Sequence, residues 1–162
     1  MSRSDDLNDI AAVIYRYSTA MDTGNWALMD EVFIEDATVD MGGYLFPKGR
    51  REIVATIKAA IDCCSLTHHM NSNIEVVLDG DRAKVSNRFL AWHKGKGPTG
   101  QMTYLAMGTY TDDFVRTPAG WRIKHRMERN PVEVWDDSRV KGDQQTFFAN
   151  AMAAFAAVAK PA

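Results

Sequence analysis

The sequence predicts an α+β domain, with helices gathered on one face of a meander of long strands. Three observations predict it: an amphipathic helical start, a change from helical to period-two patterning near His68, and turn signals spaced between the later segments. The chain has 162 residues, enough for one domain with a sizeable core. Hydrophobic residues make up 46% and charged residues 25%, which rules out a disordered or collagen-like chain.

The first helix carries Leu7, Ile10, Ile14, Tyr17 and Met21 on one stripe, with Ser4 as its expected cap and Asp5 and Asp6 in the first turn. Thr23-Gly24 ends it, and a short second helix carries Trp26, Leu28, Met29 and Phe33. Ala37–Met41 and Tyr44–Pro47 form a hairpin around Gly42-Gly43. A third helix spans Arg51–Cys63, with Ile53, Val54, Ile57 and Ile61 on its apolar side. Four strands come next: His68–Leu78, Arg82–His93, Met102–Val115 and Trp121–Val134. Asp79-Gly80-Asp81 and Thr117-Pro118-Ala119-Gly120 mark two of their turns. The domain is expected over 1–140 and a helical tail over 141–162. Asp143 caps the tail, and Phe147, Phe148, Met152 and Phe155 form its stripe, which packs on the domain, the pocket mouth or a neighbouring subunit.

Net charge is −2, with signs interspersed, so neither a nucleic-acid stripe nor an interaction tail is expected. The polar start and the lack of a long apolar run predict neither a signal peptide nor a membrane span. Cys63 and Cys64, adjacent in sequence, read as reduced thiols and suit a cytoplasmic protein. No zinc-ligand spacing and no phosphate loop occur, so no metal or organic cofactor is expected.

Four positions carry candidate chemistry. Asp22 ends the first helix, where unpaired carbonyls and apolar surroundings should both raise its pKa. Strand alternation sends His69, Asn71 and Asn73 to one side. His93 shares the apolar phase of Val85, Phe89 and Ala91, and Tyr17 lies on the apolar stripe of the first helix. Lys124, Arg126 and Arg129 read as a solvated face, and Asp112 and Asp113 as strand-end charges.

Tyr17-Ser18-Thr19-Ala20-Met21-Asp22-Thr23-Gly24-Asn25-Trp26 and Phe33-Ile34-Glu35-Asp36-Ala37 resemble the opening of SnoaL-like proteins, within the nuclear-transport-factor-2-like superfamily. Gly49-Arg50, Thr67-His68-His69, Asp79-Gly80-Asp81 and Gly120-Trp121-Arg122-Ile123 appear in the family's order, so the resemblance covers about residues 7 to 130. It implies a cone-shaped, curved antiparallel sheet wrapped around N-terminal helices, with a deep pocket. The sequence is most similar to a lyase branch that includes scytalone dehydratase, bile acid 7α-dehydratase and hexachlorocyclohexane dehydrochlorinase.

In that branch Tyr17, Asp22 and His69 match a catalytic tyrosine, aspartate and histidine, and His93 matches a second histidine. Lysine stands at the Tyr17 position of the dehydrochlorinase, which disfavours dehydrohalogenation. The resemblance implies a cofactor-independent lyase acting on a hydrophobic cyclic or aromatic small molecule, by elimination, dehydration or retro-aldol loss of a fragment such as formaldehyde. His93, Trp26, Phe33, Phe89 and Met107 are the expected substrate-binding residues, beside Met41. A homo-oligomer is expected, a trimer before a dimer. The alternatives are an isomerase or epoxide hydrolase of the same fold, or a non-catalytic ligand-binding or dioxygenase small-subunit-like module.

Overall fold

The computed structural model describes residues 2–136 and 160–161. Helix α1 spans Arg3–Thr23, and its cap is Ser2 where the sequence pointed to Ser4. The Ser2 Oγ accepts from the Asp5 N–H at 3.2 Å, while the Asp5 carboxylate accepts from the Ser2 N–H at 2.8 Å. Gly24 ends α1 at φ 68°, a left-handed turn that glycine adopts without a Cβ penalty. The short second helix is a 3₁₀ segment, Trp26–Glu31. Strands β1 (Phe33–Met41) and β2 (Tyr44–Leu45) form the expected hairpin, and α2 spans Arg50–Ile61.

The long strands are β3 (Cys64–Asp79), β4 (Arg82–Gly95), β5 (Thr103–Thr117) and β6 (Gly120–Asp136). A two-residue strand, β7 (Lys160–Pro161), pairs with β2. The expected tail helix otherwise lies outside the described residues. Sheet order is β3-β4-β5-β6-β1-β2-β7, which makes a curved, unclosed sheet with α1 against it. The sheet is not wholly antiparallel: β1 runs parallel to β6, pairing Thr38 with His125 and Asp40 with Met127.

Register defines the inner face. Ala83, Val85, Asn87, Phe89, Ala91 and His93 of β4 stand opposite Phe114, Asp112, Tyr110, Gly108, Ala106 and Tyr104 of β5. Across the other side of β4, Thr67, His69 and Asn71 stand opposite His93, Ala91 and Phe89. Ile10, Ile14 and Tyr17 of α1 are buried with this face and close the core.

Two of the sheet's irregularities move candidate side chains on or off the inner face. Between Ser72 and Glu75 the register of β3 shifts at Asn73, whose φ is 51°. Asn73 is therefore turned to solvent instead of joining His69 and Asn71, and Ile74, Val76 and Leu78 take the inner phase. In β6 an extra residue lies between Ile123, opposite Phe114, and His125, opposite Asp113. Ile123 and Arg126 can then both face inward although three residues apart, and both are 0% exposed.

Helix α1 is tied to β5 and β6 by charge and hydrogen bonding. Arg116 makes a paired contact with Asp6 at 2.7 and 2.8 Å, and the Trp121 indole N–H donates to Asp6 at 3.1 Å. The Arg116 and Trp121 hydrogen bonds hold the Asp6 pKa down at about 2.

Candidate acid–base site

The last turn of α1 meets β3, the edge strand of the sheet. An edge strand leaves backbone N–H groups unpaired on one side, and Asp22 fills one such gap. Its Oδ2 accepts the His69 backbone N–H at 2.8 Å, and its Oδ1 accepts the Thr67 hydroxyl at 2.9 Å. The same Oδ1 lies 2.6 Å from His69 Nδ1, inside the 2.6–3.2 Å expected for an orienting carboxylate. The His69 side chain is 8% exposed and that of Asp22 20%.

These contacts reverse one expectation. Burial does push the Asp22 pKa up, but the hydrogen bonds from His69 and Thr67 outweigh it, and the net shift is downward. Asp22 is therefore a stable carboxylate, not a base of raised pKa. A carboxylate can only accept, so His69 Nδ1 carries a proton toward Asp22, and in the neutral ring this tautomer makes Nε2 the acceptor nitrogen. No hydrogen bond to Nε2 occurs among the described residues.

His93 stands next to this imidazole, the rings edge to face with centroids 5.2 Å apart. Tyr104 flanks His93 on the other side at 5.3 Å. Burial, together with the neighbouring His69, lowers the His93 pKa to about 4, so His93 is neutral near pH 7. Its Nδ1 is buried without a hydrogen-bond partner. Small side chains form the adjoining floor, Ala91 directly opposite Ala106, with Gly108 next along β5. A Cβ at Gly108 would come within 2.9 Å of the Phe89 ring and of the Arg129 carbonyl.

Tyr17 does not join Asp22 and His69. It is 2% exposed and packs edge-on against Phe33 and Tyr110, with the Arg126 guanidinium 4.2 Å from its ring centroid. Burial raises its pKa and keeps the hydroxyl protonated. Phe89 lies on the inner face, stacked on Tyr110 at 4.3 Å. Phe33 is fully buried core behind Tyr17.

Two expected substrate contacts lie away from His69 and His93. Met107 stands opposite Leu90, on the outer face, because β5 keeps strict alternation through Ala106 and Gly108. Trp26 lines a separate depression with Asp30, Glu35, Arg50 and Glu52, under the Lys58 ammonium at 6.0 Å. Met41 ends β1, half-buried against the core.

The sequence does not reveal a charge pair buried inside the fold. Arg126 and Asp112, taken for solvated and strand-end charges, are both 0% exposed and form two 2.8 Å hydrogen bonds. The Asp112 carboxylate holds the Arg126 pKa above its ordinary value, against the effect of burial. Asp112 could have been found, since it shares the phase of Tyr110 and Phe114. Arg126 could not, because the extra residue in β6 hides its phase.

Residues 2–127 match the sequence profile of the SnoaL-like domain. The chain belongs to the SnoaL-like family. Uncharacterised protein Rv2910c of Mycobacterium tuberculosis is 33% identical over 129 residues, 76% of this chain and 84% of that protein. Three solved structures share the fold. Kfla4162 from Kribbella flavida has a TM-score of 0.74 at 23% identity, covering 85% of this chain and 97% of that one. A single-substitution variant of Rv3472 from Mycobacterium tuberculosis, of unknown function, gives 0.76 at 18% identity, covering 99% and 97%. A candidate scytalone dehydratase from Novosphingobium aromaticivorans gives 0.69 at 24% identity, covering 79% and 85%.

Among the described residues no group of acidic, histidine or cysteine side chains is arranged to hold a metal ion, and no helix is long and apolar enough to cross a membrane.

Proposed function

We propose that this SnoaL-like protein is a cofactor-independent lyase, acting on a hydrophobic cyclic or aromatic small molecule. The observation that carries the reading is the 2.6 Å contact between Asp22 and His69 Nδ1, which leaves Nε2 as the basic nitrogen. In this reading Nε2 takes a proton from substrate carbon beside a carbonyl or a stabilised arene. Asp22 holds the tautomer and stabilises the imidazolium that results. His93, neutral and beside His69, is the group placed to donate to a leaving oxygen or a developing enolate. In this reading Tyr17 serves the packing behind the site, since its contacts are Phe33, Tyr110 and Arg126. Elimination of water and retro-aldol loss of a small fragment use the same pair.

The competing reading is a ligand-binding module of the same fold, since a fold does not determine its function. The two are separated by incubating the protein with a library of hydroxylated and carbonyl-bearing ring compounds and tracking masses. The lyase reading expects a product lighter by water or formaldehyde. A library in which compounds bind but none changes mass supports the binding module instead.

A further inference from the structure

The contact between Asp22 and His69 joins two elements, so it depends on where α1 lies along β3. Asp22 is in the last turn of a helix that ends at Thr23, and His69 is on the edge strand of the sheet. A misplacement of about 1 Å between groups that must meet can cost about 10²-fold in rate.

A second polar tie between the same two elements lies beside the first. Ser18 precedes Asp22 by one helical turn and shares its face of α1, while Asn71 follows His69 by two residues and shares its face of β3. The Asn71 amide nitrogen donates to the Ser18 hydroxyl, and the Asn71 amide oxygen accepts from Asn87 Nδ2 at 2.7 Å. Ser18 is 7% exposed and Asn87 1%, so water competes little for these bonds. The β3–β4 register breaks between Ser72, opposite Arg88, and Glu75, opposite Ser86, and Asn87 falls in that break. Its bond to Asn71 therefore braces β3 where the ladder is interrupted, on the side that leads to His69.

We propose that Asn71, tied to Ser18 and to Asn87, is a positioning residue for the acid–base pair. It sets α1 along β3 so that Asp22 keeps the proton of the neutral His69 ring on Nδ1 and leaves Nε2 as the acceptor. Apolar side chains at positions 18 and 71 would fill similar space without fixing the helix along the strand, because burial is non-directional and a hydrogen bond is not. This role deepens the proposed function, and its effect on turnover rests on that reading, whereas its effect on the ring rests on the geometry alone.

The test reads the ring directly, by nitrogen NMR of His69 in the full chain, followed through a pH titration to the neutral imidazole. The parent protein should show one tautomer, protonated on Nδ1. Asn71→Leu and Ser18→Ala should each give a mixture with the Nε2-protonated form, while Ser18→Thr, which keeps the hydroxyl, should keep the parental ring. Ile10→Val, a core truncation further up α1, controls for lost stability and should also leave the ring unchanged. On a substrate identified by mass change, Asn71→Leu and Ser18→Ala should lose about 10- to 100-fold in kcat with KM little altered. If Asn71→Leu does not fold, Ser18→Ala carries the test alone. A parental ring protonated on Nε2, an Nδ1-protonated ring kept by Asn71→Leu and Ser18→Ala, or the same mixture in Ile10→Val overturns the role. The expected tautomer changes in a protein that turns nothing over would remove the lyase reading and leave the positioning of His69 standing.

Discussion

His69 and His93 are neighbours with different electrostatic tasks. Asp22 sits against one ring, while the other is buried with its Nδ1 lacking a hydrogen-bond partner. The His93 pKa, lowered to about 4, lies below the value near 6.5 of an unfolded histidine. Between those two values the unfolded state binds the extra proton, so stability is lost as pH falls through that window. Denaturant unfolding at pH 7 and pH 4.5 should show a pH-dependent loss on the order of 2 kcal/mol that His93→Gln removes. An unchanged pH dependence in the variant would contradict the buried neutral ring.

Of these residues the sequence makes some legible and hides others. Tyr17, Asp22, His69 and His93 stand out as polar groups on apolar or inward phases. Their grouping is not legible, because a five-residue step along α1 turns Tyr17 toward Arg126 and Asp22 toward the edge of β3. The direction of the Asp22 shift is also hidden, because it depends on Thr67 and His69 donors that only the fold brings together.

At the scale of elements, helix and strand periodicity place most segments within a few residues of their observed bounds. The local failures are the bulges. Asn73 and the extra residue of β6 each reverse the phase of the strand beyond them, so Asn73 leaves the inner face and Arg126 joins it. The buried Arg126–Asp112 pair across β5 and β6 should show this in stability. Asp112→Ala strands a buried charge and should cost about 3–5 kcal/mol, whereas Asp112→Leu with Arg126→Met should recover most of that loss. Urea unfolding of the singles and the double checks it, and a double as unstable as Asp112→Ala would contradict the burial.

The clamp between α1 and β5 behaves differently. The Asp6 pKa, about 2, lies below its ordinary 3.8, so its contribution is present above pH 4 and lost as pH falls toward 2. Asp6→Asn should melt below the parent at pH 7 and match it near pH 2. A difference that persists at pH 2 would place the effect elsewhere.

For the whole molecule, the outer face of the sheet matters most. Met70, Leu90, Met107 and Val132 stand in register across four strands, and Leu66, Met70 and Val132 are each about half exposed. Sequence alternation predicts a solvated face from Lys124, Arg126 and Arg129, but Arg126 turns inward. The exposed apolar row favours association, and a homo-oligomer, a trimer before a dimer, is the predicted state. Light scattering at micromolar concentration should give a multiple of the 18.1 kDa chain mass, and a strictly monomeric mass would refute this.

At the same scale, the proposed catalysis depends on His69 acting as the base. On a substrate identified by mass change, His69→Gln keeps a polar side chain of similar reach and should alter stability by only about 1 kcal/mol. Turnover should fall by about 10²–10⁴-fold, with ligand affinity largely kept. Conversion by His69→Gln at the parental rate would show that His69 is not the base, and the acid–base reading of the Asp22–His69 pair would be wrong.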